Sequence, residues 1–239
     1  SYTTQVEGNT LLITLQGAAA ASSGAVNAPV VQFAPAQPGT AAHSLRDIDF
    51  RRGNNGEGRV IVDLSDNSTG IDIKQLGKKV VVEFINTALP QNLQRRLDVA
   101  DFGTPVTTVE TSAQGKNVRL TVEPRGLWEH SAYQTDTQFI LEVKPLKEDP
   151  NKLVQSSQPG YSGEKLSLNF QNIEVRAVLQ VIADFTQLNI ITSDSVTGNT
   201  TLRLKDVPWD QALDIILQSK GLAKRKNGNV VLIAPADEL

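Results

Sequence analysis

Leu166-Ser-Leu-Asn-Phe-Gln171, Ile173-Glu-Val-Arg-Ala-Val-Leu-Gln-Val-Ile-Ala-Asp-Phe185, Asn189-Ile-Ile191, Val207-Pro-Trp-Asp-Gln-Ala-Leu-Asp-Ile-Ile-Leu217 and Val230-Val-Leu-Ile-Ala-Pro235 follow one another between Glu164 and Pro235. They read as strand, helix, strand, strand, helix, strand, strand, a small α/β unit of βαββαββ order. From Val175 the helical period places Val175, Val178, Leu179, Ile182 and Phe185 on one stripe. Pro208 suits the first position of the second helix, and Asp210 is placed to accept the backbone N–H of Val207 as half a capping box. Ala212, Leu213, Ile216 and Leu217 then face inward. Gly221 ends the helix as a C-terminal cap, and Asn227-Gly228 joins Leu222–Lys226 to Asn229–Ile233 as a hairpin.

Upstream, residues 146–163 form a linker of charges, Ser, Pro and Gly, for which relative domain motion is the default. Residues 44–145 read as all-β. Val60, Val62 and Leu64 share one side of a strand, as do Val80, Val82 and Phe84, then Val118, Leu120 and Val122, then Phe139, Leu141 and Val143. Leu45–Phe50 is an imperfect strand, with Leu45 and Asp47 on one face and Ile48 and Phe50 on the other. Turn signals at Gly53–Gly56, Asn67–Gly70, Leu76-Gly77, Gln114-Gly115 and Thr135-Asp136 separate the strands. Many short strands at such spacing predict a small β-sandwich. Leu89–Leu97 interrupts it, with leucines at a period of four that fits a helical turn or an extended crossover. Residues 17–43, rich in Ala, Ser, Gly and Pro, read as a second linker, in which the short run Val30–Phe33 is apolar enough to dock. Residues 1–16 hold one strand, Thr10–Leu15, which cannot bury itself and must borrow a sheet or stay loose.

At 239 residues the chain holds one large or two small domains. It is 39% hydrophobic but 5% aromatic, so its cores are expected to be Val, Ile and Leu. A net charge of −3 gives no bulk attraction to nucleic acid or anionic lipid, and without a base-stacking aromatic array nucleic acid is not an expected partner. The absence of cysteine excludes disulfides, thiolate metal sites and cysteine nucleophiles. No apolar run approaches the ~20 residues of a membrane helix, so no direct membrane insertion is expected. A chain that begins with Ser1 is expected to be a processed or recombinant piece.

Neither catalysis nor a metal or cofactor is expected. His43 falls in the linker and His130 beside Glu129 in a loop, too far apart for a metal site or a triad. Asp47 with Asp49, and Asp63 with Asp66, are explained by solvated strand edges and turns rather than by glycoside hydrolysis. Gly53–Gly58 leads into a strand and lacks the Lys-Ser/Thr of a phosphate loop. The calcium-like spacing from Asp66 places Gly77 where the twelfth-position Glu is needed. Trp209 reads as core. Trp128, in a loop beside Arg125 and His130, is either a rim residue or a sugar-stacking one.

The α/β unit, residues 164–239, resembles the secretin and TonB short N-terminal (STN) domain. Residues 44–145 resemble the AMIN domain of periplasmic proteins through Arg59-Val-Ile-Val-Asp-Leu64, Lys79-Val-Val-Val-Glu-Phe84, Arg95-Arg-Leu-Asp98 and the closing Tyr133–Pro145 strand. Thr10–Leu15 aligns with Gln138–Val143, so residues 1–16 are either the tail of a preceding AMIN copy or a chance match of two strands. An AMIN-like sandwich followed by an STN-like unit is similar to the periplasmic N-terminal part of the type IV pilus secretins.

That resemblance implies a non-catalytic role on the periplasmic face of the outer membrane, within a homo-oligomeric ring formed by the full-length protein. It implies AMIN contact with peptidoglycan, and STN contact with neighbouring subunits and an inner-membrane pilus lipoprotein (PilP-like). Candidate peptidoglycan-binding residues are Arg51, Arg52, Lys78, Lys79, Arg95, Arg96 and Arg125, whose charge suits stem-peptide carboxylates, with Trp128 for sugar rings. Candidate docking residues are Leu166, Leu168, Phe170 and Gln171, on a sheet edge that can accept a partner strand. Three rival readings share one domain each: a TonB-dependent receptor and another secretion-system secretin share the STN unit, and a cell-wall amidase shares the AMIN unit.

Overall fold

The computed structural model describes residues 2–7, 10–15, 33–34, 43–146, 161 and 163–238. In chain order they form β1 (Tyr2–Glu7), β2 (Thr10–Leu15), β3 (His43–Arg52), β4 (Gly58–Leu64), β5 (Gly70–Leu76), β6 (Lys79–Ile85), β7 (Thr87–Ala88), β8 (Arg96–Asp98), β9 (Val106–Gln114), β10 (Asn117–Pro124), β11 (Trp128–Thr135) and β12 (Gln138–Pro145). The remainder is β13 (Lys165–Glu174), α1 (Val175–Thr186), β14 (Asn189–Thr192), β15 (Asn199–Pro208), α2 (Trp209–Ser219), β16 (Leu222–Asn227) and β17 (Val230–Pro235). The chain divides into two compact units. One is Ser22–Tyr133 with Thr137–Gly160; the other is Ser1–Ala21, Gln134–Asp136 and Tyr161–Leu239.

The first unit is all-β. Its strands run β11-β12-β4-β3-β7 in one sheet and β5-β6-β10-β9-β8 in the other, and both contribute to one core. Strand alternation puts Val60, Val62 and Leu64, Val80, Val82 and Phe84, Val118, Leu120 and Val122, and Phe139, Leu141 and Val143 into that core. Phe139 meets Phe33 and Phe84 edge to face, with ring centroids 5.4 and 5.6 Å apart. Phe33 lies in the segment read as linker, yet it is buried. Its neighbour Ala34 exchanges two backbone hydrogen bonds with Ile71, of 2.9 and 2.8 Å.

Several local expectations change. Leu89–Leu97 contains a single 3₁₀ turn, Gln91–Leu93, and then β8; Leu93 is buried, and Leu89 and Leu97 pack against the core. Trp128 and His130 lie in β11 rather than in a loop, with ring centroids 5.9 Å apart. His43 opens β3 and is buried. Its Nδ1 stands 2.7 Å from Asp66 Oδ2, while the Ser65 and Ser68 hydroxyls each donate to the same carboxylate at 2.7 Å. Burial raises the pKa of Asp66, but the bonds from His43, Ser68 and Ser65 outweigh it and hold the carboxyl well below the usual range. The cluster ties the start of β3 to the β4–β5 turn.

Asp66→Asn is therefore expected to cost about 1 kcal/mol at pH 7, below the ~1.5–3 kcal/mol of charged hydrogen bonds because the side chain is partly in water. The folded-state pKa lies below the unfolded one, so this contribution is complete above about pH 4 and fades as pH falls further. Urea midpoints of the two proteins, separated at pH 7, should converge in acid.

In the second unit, α1 buries Val175, Val178, Leu179, Ile182 and Ala183; Phe185, expected on the stripe, is half-buried. Pro208 stands at the N-cap of α2, one residue before the helix. Asp210 does not reach Val207: its Oδ2 accepts from the Gly163 N–H at 3.2 Å and its Oδ1 from the Gln211 N–H at 3.0 Å. A methyl group on Gly163 would come within 2.4 Å of Trp209 Cδ1, so the chain entering this unit passes directly over the indole. α2 buries Ala212, Leu213, Ile216 and Leu217. β16 and β17 form the expected hairpin, but Asn227 pairs with Val230, so the turn is Gly228-Asn229 rather than Asn227-Gly228, with Gly228 at φ 60°. Arg203 of β15 is buried; desolvation lowers its pKa to about 10, and its Nε donates to Asn169 Oδ1 at 3.2 Å.

The strand expected at Thr10–Leu15 is β2, and it does borrow a sheet. It pairs antiparallel with β1 and parallel with β13, Leu11 opposite Leu166 through Thr14 opposite Asn169.

Candidate functional site

One end of the sandwich differs from the rest. There, β3 finishes against the start of β4, with Arg52 opposite Gly58, and β12 finishes with Val143 opposite the same glycine. In the other sheet Leu76 turns back onto Lys79, and Pro124 finishes opposite Val106. The sheets close on each other at this point. A methyl on Gly58 would come within 2.9 Å of Val106 Cγ2 and 3.1 Å of Phe50. Phe50 and Phe102 stack edge to face at 5.2 Å, and Arg52 Nη1 donates to the Phe102 carbonyl at 3.2 Å. The turn after β10 is held by Arg125 N–H to the Pro105 carbonyl at 2.8 Å, and Leu146 N–H donates to the Leu127 carbonyl at 2.9 Å.

Among the described residues of this unit, the large apolar side chains left in water are Leu76, Phe102, Leu127 and Leu146, each 44–61% exposed. All four lie at this end. Clustered exposed apolar groups within a polar rim mark an interaction surface far more often than single ones do. The opposite end carries the His43–Asp66 cluster and the Asn86–Asn117 and Gln138–Asp63 hydrogen bonds, and among the described residues no large apolar side chain is exposed there.

Six of the eight residues singled out for peptidoglycan come to the apolar end. Arg51 pairs with Asp49 at 2.8 Å, and Arg52 reaches only a carbonyl. Lys78 lies in the β5–β6 turn. Lys79 pairs with Glu123, and its hydrogen bond keeps that carboxyl below its ordinary pKa. Arg125 and the half-buried Trp128 flank Leu127. Arg95 and Arg96 do not join them. Arg95 points Nη2 at the Ile48 carbonyl, 3.3 Å away, and Arg96 sits opposite Glu110 partway along β9. The four apolar members were missed because each is a lone leucine or phenylalanine in or beside a turn, and only the sheet register brings them together.

Just inside this end, Arg59 lies between two buried carboxylates, 2.8 Å from Glu57 and 2.8 Å from Glu142, with Lys144 3.5 Å from Glu142. Burial works against the guanidinium charge, but attraction to Glu142, then to Tyr133 and Glu57, outweighs it and raises its pKa. The cluster is structural: it pins β4 to β12 beneath the surface.

The docking residues proposed on β13 are placed otherwise. Leu166, Leu168 and Phe170 are buried and Gln171 is half-buried. Over Leu166–Asn169 the edge expected to be open is occupied, with β2 on one side and β15 on the other. Among the described residues no three His, Asp or Glu side chains are grouped to hold a metal, and no helix is long and apolar enough to cross a membrane.

Residues 47–150 match the AMIN domain family, and residues 188–236 match the secretin and TonB N-terminus short domain family. The whole chain aligns with the fimbrial assembly protein PilQ of Pseudomonas aeruginosa, 49% identical over 249 residues that make up 35% of that protein. The chain belongs to the PilQ family. The type IV pilus biogenesis and competence protein PilQ of Neisseria meningitidis serogroup A is 40% identical over 195 residues, 81% of this chain and 26% of that protein. The chain thus spans about a quarter to a third of the PilQ relatives it matches. Among solved structures, the N0 domain of the type II secretin from enterotoxigenic Escherichia coli is similar at 17% identity and a TM-score of 0.28, covering 32% of this chain and 100% of that domain.

Proposed function

We propose that this chain is the periplasmic, non-catalytic part of an outer-membrane secretin for a type IV pilus, and that its AMIN sandwich grips peptidoglycan with the apolar, cationic end. The STN unit, a βαββαββ fold in this reading, meets neighbouring subunits and a PilP-like inner-membrane lipoprotein. The observation that carries the cell-wall half is the gathering of Leu76, Phe102, Leu127 and Leu146 with Arg52, Lys78 and Arg125 at one end of an AMIN domain. Peptidoglycan offers matching chemistry: stem-peptide carboxylates for the cations, and sugar faces and alanine methyls for the apolar groups and Trp128.

The full chain should pellet with purified sacculi, and less so as salt rises, because exposed charge pairs are screened. Arg52→Glu/Lys78→Glu/Arg125→Glu should weaken this at least tenfold without changing the thermal midpoint, since all three side chains lie in turns or at strand ends. Unchanged pelleting of the triple variant would move the cell-wall contact away from this end. No pelleting of the unaltered chain would make the sandwich a spacer or a protein-docking module.

A further inference from the structure

Among the described residues the sheet β14-β17-β16 has two open edges, and they differ in character. β16 carries Lys224, Arg225 and Lys226 in succession. Lys224 is tied to Asp214 of α2 at 2.5 Å, which places it on the helix side of the sheet; Lys226, two residues on, shares that side. The β14 edge borders a groove of about 540 Å³ between it and the end of α1, whose lining includes Ala183, Asp184, Gln187, Asn189 and Ile191. Asp184 is exposed on the helix side of that groove, and Asp194 follows the strand in full contact with water. On the outer face Ile191, Val230 and Leu232 are exposed. Register places Ile191 beside Leu232, and Leu232 beside Arg225.

We infer that copies of this chain join edge to edge through this sheet, the basic β16 of one copy lying in the acid-flanked groove beside β14 of the next. β14 runs parallel to β17 and β16 antiparallel to it. A sheet continued with the same strand directions therefore pairs β16 antiparallel to the neighbour's β14. Lys226 of one copy then faces Asp184 of the next. The two contacting surfaces are different, so the contact is heterologous and propagates into a ring where the rotation closes. β14 is only four residues long, so each contact is weak and is reinforced by the others in a closed ring. This inference is independent of the cell-wall reading and survives its failure.

The chain has no cysteine, so engineered pairs report cleanly. Within one copy Ile191 and Arg225 are separated by β17, hence by two strand spacings of roughly 10 Å, beyond the ~7 Å reach of a disulfide. Both positions are exposed, so the fold tolerates them. Oxidising the full chain with Ile191→Cys/Arg225→Cys, and in parallel Ile191→Cys/Asn227→Cys to cover a two-residue change of register, should give a covalent ladder of dimers, trimers and higher species. Each single variant should stop at dimers. Adding Lys226→Glu should reduce the ladder at least fivefold, and Asp184→Lys on top of it should restore it. Monomers or internally linked chains from both double variants, or a ladder indifferent to Lys226→Glu, overturn the pairing.

Discussion

Arg59→Met should destabilise the sandwich by about 3 kcal/mol at pH 7–8, near the low end for stranding a buried charge. The side chain is similar in volume, so packing is largely kept; what disappears is the cation shared by Glu57 and Glu142, both almost wholly buried. Lys144 remains 3.5 Å from Glu142 and offsets part of the loss. Adding Glu142→Gln to the variant should recover part of the stability at neutral pH. Urea unfolding of both variants at pH 8 checks both statements. No recovery on adding Glu142→Gln would mean that packing, not charge, sets the cost.

Phe139→Ala should cost about 3–5 kcal/mol, the usual range for emptying a buried phenylalanine site. The ring is fully buried and stands edge to face between Phe33 and Phe84, so its removal opens a void that β-branched neighbours cannot fill. It also removes the anchor of the Phe33–Ala34 segment. A double-mutant cycle with Phe33→Ala should show coupling of about 0.5–1.5 kcal/mol, and Phe33→Ala alone should leave the sheets intact. Chemical denaturation of the three variants gives the cycle directly.

The sequence was most legible where one residue type did one job. Val, Ile and Leu at period two announced β4, β6, β10 and β12, and period 3.6 announced α1 and α2. Strands built from residues with two allegiances were hidden. β9 has Thr111 turned inward opposite Leu120, and Thr108 buried on the other face opposite Glu123; threonine counts as polar in a pattern, yet its branched side chain packs well in a sheet. β5 does alternate, Ile71 and Ile73 on one face and Asp72, paired with Lys74 at 2.6 Å, on the other, but two apolar residues are too short a pattern to stand out. Trp128, Glu129 and His130 disguised the start of β11 as a loop. At the candidate site the cations were visible as doublets, but nothing in a one-dimensional pattern says that the doublets at Arg51 and Lys78 share an end while the one at Arg95 does not. That follows from strand register, which depends on pairing between distant segments. The filling of the β13 edge by β2 was hidden for the same reason.

The parallel contact of β2 with β13 also sets an order of events. Leu11 and Leu166 are separated by the entire sandwich, so this is among the most non-local pairings in the chain, and such pairings pay their loop-closure entropy before they are rewarded. On a ribosome adding roughly 5–20 residues per second, roughly ten to thirty seconds pass between synthesis of β2 and of its partner strand. During that interval the sandwich has everything it needs to fold, whereas β2 has only β1. The hairpin therefore waits with one face of its backbone unpaired, and whichever strand first presents a complementary edge can claim it.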